Sequence, residues 1–140
     1  MMTVVTLSIA KLSLLATRLT GRGGSALPGL IADKLDPKLT RKLSRNFTST
    51  ILITGTNGKT TTTKMLVELL RAGNVSLITN QSGSNLKRGI TSRLIEEASL
   101  AGKINADVAV FEVDEASLPA VADALRPTHI AILNLFRDQL

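Results

Sequence analysis

A chain of 140 residues, 44% of them hydrophobic, is about one domain long and can bury a core. Having no cysteine, it forms neither a disulfide nor a thiolate metal centre, and three Phe with no Trp or Tyr speak against a base-stacking nucleic-acid module. The formal net charge of +6 is spread over residues 34–45, 59–71 and 87–93, so it fits a phosphate-rich ligand better than a nucleic-acid partner.

Residues 4–19 (VVTLSIAKLSLLATRL) are apolar, but Lys11 interrupts the run, no basic segment precedes it, and it is too short to cross a bilayer. Val5, Ile9, Leu12, Ala16 and Leu19 recur at helical spacing, which predicts an amphipathic helix with one face packed on something, and peripheral contact with a membrane stands beside that reading. Gly21 ends it, and the turn-rich stretch 21–29 (GRGGSALPG) reads as a connector. A short helix over 30–35 follows. Asp36 then serves as N-cap and Pro37 as the entry to a helix over 38–45, whose Arg41, Lys42 and Arg45 suit the negative end of its dipole.

From residue 50 the pattern becomes strand, loop, helix, repeated. Strands are expected over 51–54, 75–79, 107–113 and 129–134, and helices over 59–72, 90–100 and 119–125, with Gly73 stopping the first of these. Residues 107–113 (DVAVFEV) are almost continuously apolar, as strands buried on both faces are. This alternation predicts an α/β fold with a mostly parallel sheet and helices on both faces. The chain divides into a helical segment, 1–49, and an α/β domain, 50–140.

The chemistry centres on Thr54-Gly55-Thr56-Asn57-Gly58-Lys59-Thr60-Thr61-Thr62, where a strand turns into a helix. Such a turn aims backbone N–H groups and the positive end of the helix dipole at one point, which suits phosphate. Gly55 and Gly58 let the backbone close around an anion, Lys59 can reach outer phosphates, and the Thr60 hydroxyl can ligate Mg²⁺. The glycines are three residues apart, shorter than the five of the standard P-loop. Four successive threonines are otherwise a poor way to begin a helix.

In a parallel sheet ligands bind beyond the strand C-terminal ends, where Thr54, Asn80, Glu112 and Asn134 all fall. Glu112, in an apolar strand, calls for a partner: Mg²⁺ beside nucleotide phosphates, or a structural Lys or Arg. Asp114 and Glu115 read as caps for the next helix. The small, polar, basic loop 80–89 (NQSGSNLKRG) suits an anionic substrate and equally an ordinary surface loop. His129, the one histidine, reads as structural.

Residues 55–62 (GTNGKTTT) closely resemble the ATP-binding loop of the Mur ligase superfamily, ATP-dependent amide-bond-forming enzymes of peptidoglycan and folate metabolism. Residues 111–115 (FEVDE) resemble the family's second-magnesium glutamate segment. Residues 133–140 (LNLFRDQL) hold the place of its Asn-x-x-x-Asp-His motif: Asn134 and Asp138 match, and Gln139 stands where the family has histidine. Gln139, the 80–86 loop and the 21–29 entry resemble one branch, the Mur-ligase-like subunits of lipid II isoglutaminyl synthases.

The resemblance implies catalytic roles for Lys59 and Glu112, ATP held by Gly55, Thr56, Asn57, Gly58, Lys59, Thr60 and Thr61, and Mg²⁺ held by Thr60 and Glu112. Asn80, Ser82, Asn85, Asn134 and Asp138 join as further site candidates. It implies that the D-glutamate α-carboxyl of lipid II is activated as an acyl phosphate, and that a GatD-like glutamine amidotransferase delivers the ammonia. The reaction would run in the cytoplasm at the inner face of the membrane. The family's four-cysteine zinc ribbon would lie downstream, so zinc is not expected in this stretch, and the 140 residues are expected to be an N-terminal fragment inactive alone. Two other readings stand beside this one. Another Mur-type ligase adding an amino acid is disfavoured by Gln139 and by the missing UDP-substrate domain; a nucleotide- or partner-binding module without chemistry is separated by the effect of Lys59→Ala on ATP binding.

Overall fold

The computed structural model describes residues 2–19, 26–80 and 84–135. Three helices come first: α1 (Met2–Leu19), α2 (Leu27–Leu35) and α3 (Leu39–Ser44). The α/β part follows as β1 (Ser49–Thr54), α4 (Lys59–Ala72), β2 (Leu77–Thr79), α5 (Lys87–Glu97), β3 (Val108–Glu112), α6 (Leu118–Leu125) and β4 (His129–Ile132), with one 3₁₀ turn, Glu115–Ser117, entering α6. The strands form one parallel sheet in the order β2-β3-β1-β4, and Ile53 lies opposite Glu112 in the β1–β3 register. The expected α/β architecture is therefore present. β1 and β3 occupy the centre, and β3 (VAVFE) is buried along nearly its whole length.

Side chains alternate across a strand, so neighbouring residues feed different layers. Ile53 and Val110 pack with Val67 of α4 on one face of the sheet. Leu52, Ala109 and Phe111 point into a larger core with Leu94 and Ile95 of α5, Leu39 and Leu43 of α3, Val121 and Leu125 of α6, and Leu7 and Ala10 of α1. Burying each large side chain in these layers contributes about 1.5–3 kcal/mol. The N-terminal helices and the sheet thus share a single core.

Several sequence expectations need correction. In α1 the apolar face marked by the spacing is not the one packed on the described residues: Val5, Ile9, Leu12 and Leu19 are 42–80% exposed and Ala16 is exposed, while Thr6, Leu7 and Ala10 are buried. The helical period is present, and α1 approaches its neighbours through the opposite side. Lys11 fixes this orientation by donating from Nζ to the Glu96 carbonyl at 3.1 Å, and Arg18 does so by pairing with the Glu96 carboxylate.

The connector is also shorter than expected, since α2 begins at Leu27 with Pro28 in its first turn; residues 20–25 lie outside the described residues. Gly29 is the point where α2 meets α5. A Cβ there would stand 2.1 Å from the Arg88 carbonyl oxygen, and the Gly29 N–H donates to Ser92 Oγ at 2.8 Å. The helix expected over 90–100 starts at Lys87, whose Nζ lies 3.0 Å from Asp33 Oδ1, and ends at Glu97. Asp36 accepts from the Lys38 N–H at 3.2 Å and pairs with Lys42 at 2.6 Å, anchoring the entry to α3.

Candidate functional site

The loop after β1 bends through two left-handed glycines, Gly55 (φ 144°) and Gly58 (φ 87°), and delivers the chain into α4 at Lys59. At Gly55 the absence of a side chain is a packing requirement as well, since a Cβ would meet Asn134 O and N at 3.0 and 3.1 Å. Asn134 staples the loop from the far side. Its Oδ1 accepts from the Asn57 N–H at 2.9 Å, its Nδ2 donates to the Asn57 carbonyl at 3.0 Å, and its own carbonyl accepts from the Thr56 N–H at 3.2 Å. The Thr56 and Asn57 amides are therefore engaged within the protein. The first turn of α4, Lys59 to Thr61, supplies N–H groups that have no intrahelical acceptor and the positive pole of the dipole.

Lys59 folds its ammonium back to the Gly55 carbonyl at 2.6 Å and lies 3.7 Å from both Asp114 Oδ1 and Glu115 Oε2. Asp114 and Glu115, expected as helix caps, make no side-chain capping bond at Asp114 and instead face this lysine. Glu115 is held below the ordinary carboxylate value, first by a hydrogen bond from its own backbone N–H, against the opposing effect of burial, and further by Thr56 and the Lys59 charge. The sequence offered one signal for them: two carboxylates directly after a strand end whose neighbour carries the lysine.

Glu112 ends β3 and is 2% exposed, yet neither carboxylate oxygen has a hydrogen-bond partner among the described residues, so the structural Lys or Arg partner is not there. Its backbone is fixed by Asn80, whose Oδ1 accepts from the Glu112 N–H at 3.0 Å and whose Nδ2 donates to the Glu112 carbonyl at 2.9 Å. Asn80 thereby extends the sheet by one rung past the end of β2, and its amide is engaged with backbone rather than turned to a ligand. Glu112 opens on a cleft of about 480 Å³ between α4 and the end of β2, lined also by Thr60, Thr63, Lys64, Arg71 and Thr79. The Thr63 and Thr79 hydroxyls are buried without partners as well.

Buried polar groups are seldom left unpaired, so three such groups at one cleft define a place built to receive polar atoms. A carboxylate and hydroxyls are hard oxygen donors, the kind Mg²⁺ takes alongside phosphate. Among the described residues no cluster of three His, Cys, Asp or Glu is present, and Glu112 shares its cleft with Thr60. Thr63 was missed in the sequence although the threonine run carried it: residues 60 and 63 share one helix face. Asn85 is half-buried, with its Oδ1 unpartnered. Ser82, Asp138 and Gln139 lie outside the described residues.

The Mur ligase middle domain model matches residues 53–140. The MurT subunit of a glutamine-hydrolysing lipid II isoglutaminyl synthase from Staphylococcus aureus is 41% identical over 132 residues, which covers 94% of this chain and 29% of that protein. The MurT subunit from Streptococcus pneumoniae is 41% identical over 118 residues, 84% of this chain and 26% of that protein. The chain thus spans less than a third of the length of these relatives.

Proposed function

The chain belongs to the Mur ligase family, and from that premise we propose that it is the ATP-holding part of an amide ligase of peptidoglycan synthesis, acting on the D-glutamate α-carboxyl of lipid II. The observation that carries this reading is Glu112: a buried carboxylate without a partner, facing the same cleft as Thr60. The identity to MurT subunits over most of the chain supports the amidating branch. No described helix is long and apolar enough to span a bilayer. We place the protein in the cytoplasm, working at the inner membrane face.

In this reading the Gly55–Thr62 loop cradles the ATP phosphates as a P-loop, with Gly58 and the amides of Lys59 to Thr61 nearest the anion. Thr56 and Asn57 shape the loop through Asn134. Thr60 and Glu112 would hold Mg²⁺, which when bound neutralises phosphate charge. Lys59 leaves the Gly55 carbonyl and its two carboxylates to meet the outer phosphates. Asp114 and Glu115 keep that ammonium at hand.

Phosphoryl transfer asks the protein for position and charge rather than for a nucleophile. The substrate carboxylate oxygen attacks the γ-phosphorus and ADP departs; ammonia from a GatD-like amidotransferase then attacks the acyl carbon and inorganic phosphate departs. The test is nucleotide affinity. Lys59→Ala should weaken Mg·ATP binding roughly 100-fold by titration calorimetry, and unchanged affinity would leave the loop a structural turn.

A further inference from the structure

Helix α1 is amphipathic with its apolar side turned away from the protein. The side packed on α2 and α5 is largely small or polar, with Thr6, Leu7 and Ala10 buried and Thr3, Ser13 and Thr17 half-buried. Val4, Val5, Ile9, Leu12, Leu15 and Leu19 are 45%, 53%, 42%, 66%, 55% and 80% exposed. At about 100° per residue these six fall within roughly 140° of arc, an aliphatic face interrupted by Ser8 along an 18-residue helix about 27 Å long. Lys11 and Arg18 stand at one border of the arc, and both are tied to Glu96 at the C-terminal end of α5.

We propose that this face of α1 is a membrane-docking surface, lying in the plane of an anionic bilayer at the boundary between headgroups and acyl chains. Three observations select lipid over a protein partner. The arc is aliphatic but for Ser8 and holds no aromatic residue, whereas the cores of protein interfaces are enriched in aromatic residues, Met and Arg. The formal net charge is +6 with a pI near 10.2, the sign that draws a protein onto anionic lipid. The helix cannot span a bilayer, which leaves the in-plane arrangement open to a strongly amphipathic helix with cations at its margin. In its biological use the inference rests on the lipid-linked substrate proposed above: docking would confine the strand-end cleft to the surface where such a substrate lies.

The experiment is flotation of the 140-residue chain with vesicles of one part phosphatidylglycerol to three parts phosphatidylethanolamine, without nucleotide. The wild-type chain should rise with the vesicles, and L12E/L19E should rise at least about tenfold less. Both substitutions are on exposed positions, and an unchanged circular-dichroism melt will establish that the variant folds. Failure of the wild-type chain to float, or equal flotation of the variant, overturns the proposal. So does a wild-type dimer in sedimentation that L12E/L19E dissolves without any vesicle binding, since that assigns the face to a second copy. Mg·ATP affinity measured on the same two proteins keeps the readings apart: its loss in both, with flotation intact, sinks the ligase reading and leaves the docking surface standing.

Discussion

The loop after β1 and the helix that opens the chain were both marked by residue spacing, yet the spacing dictated the turn of the first and left open which way the second would face. In the loop, spacing governs backbone chemistry: a glycine needing φ 144° or 87° is the same requirement in the sequence and in the fold. In α1, spacing governs only the width of a stripe. Which side of an amphipathic helix meets the protein depends on partners far along the chain, here Glu96 and the close approach of α2 and α5. A local rule is therefore safest where the chain itself is the interacting partner.

The contrast predicts that substitutions in the loop and its supports will be severe while those on the outer arc of α1 will be mild. The largest effect is expected at Gly55→Ala, which adds a Cβ about 3 Å from Asn134 at a left-handed φ; chemical denaturation should register a loss of about 3 kcal/mol together with loss of Mg·ATP binding. Asn80→Leu comes next, leaving the Glu112 N–H and carbonyl without their partner. A loss of about 2 kcal/mol is expected, and a variant as stable as the wild type would mean that water replaces the amide. Leu12→Ser, at a position 66% exposed, should change stability by no more than about 0.5 kcal/mol in lipid-free buffer. A cost equal to that of Gly55→Ala would erase the contrast.

Much of the α/β part was legible. The bounds of α4, 59–72, and its stop at Gly73 follow from the strand-to-helix turn and from apolar periodicity, and the central strands were visible in their continuous apolar runs. What escaped was orientation across long sequence separations. Asp114 and Glu115 sit where caps belong, and only the path of Lys59 across the sheet turns them into its counter-charges. Asn80 and Asn134 were placed at strand ends, but nothing local says that their amides bond backbone. Glu112 was legible because a carboxylate in a buried strand is anomalous wherever its partner lies.

Asn134 grips Asn57 through both ends of its amide and Thr56 through its carbonyl, directly after the strand that pairs with β1. The turn that follows β1 is thus held at two successive residues by one residue nearly eighty positions further along the chain. Asn134 acts there as a clasp, giving the loop its curvature before any ligand arrives.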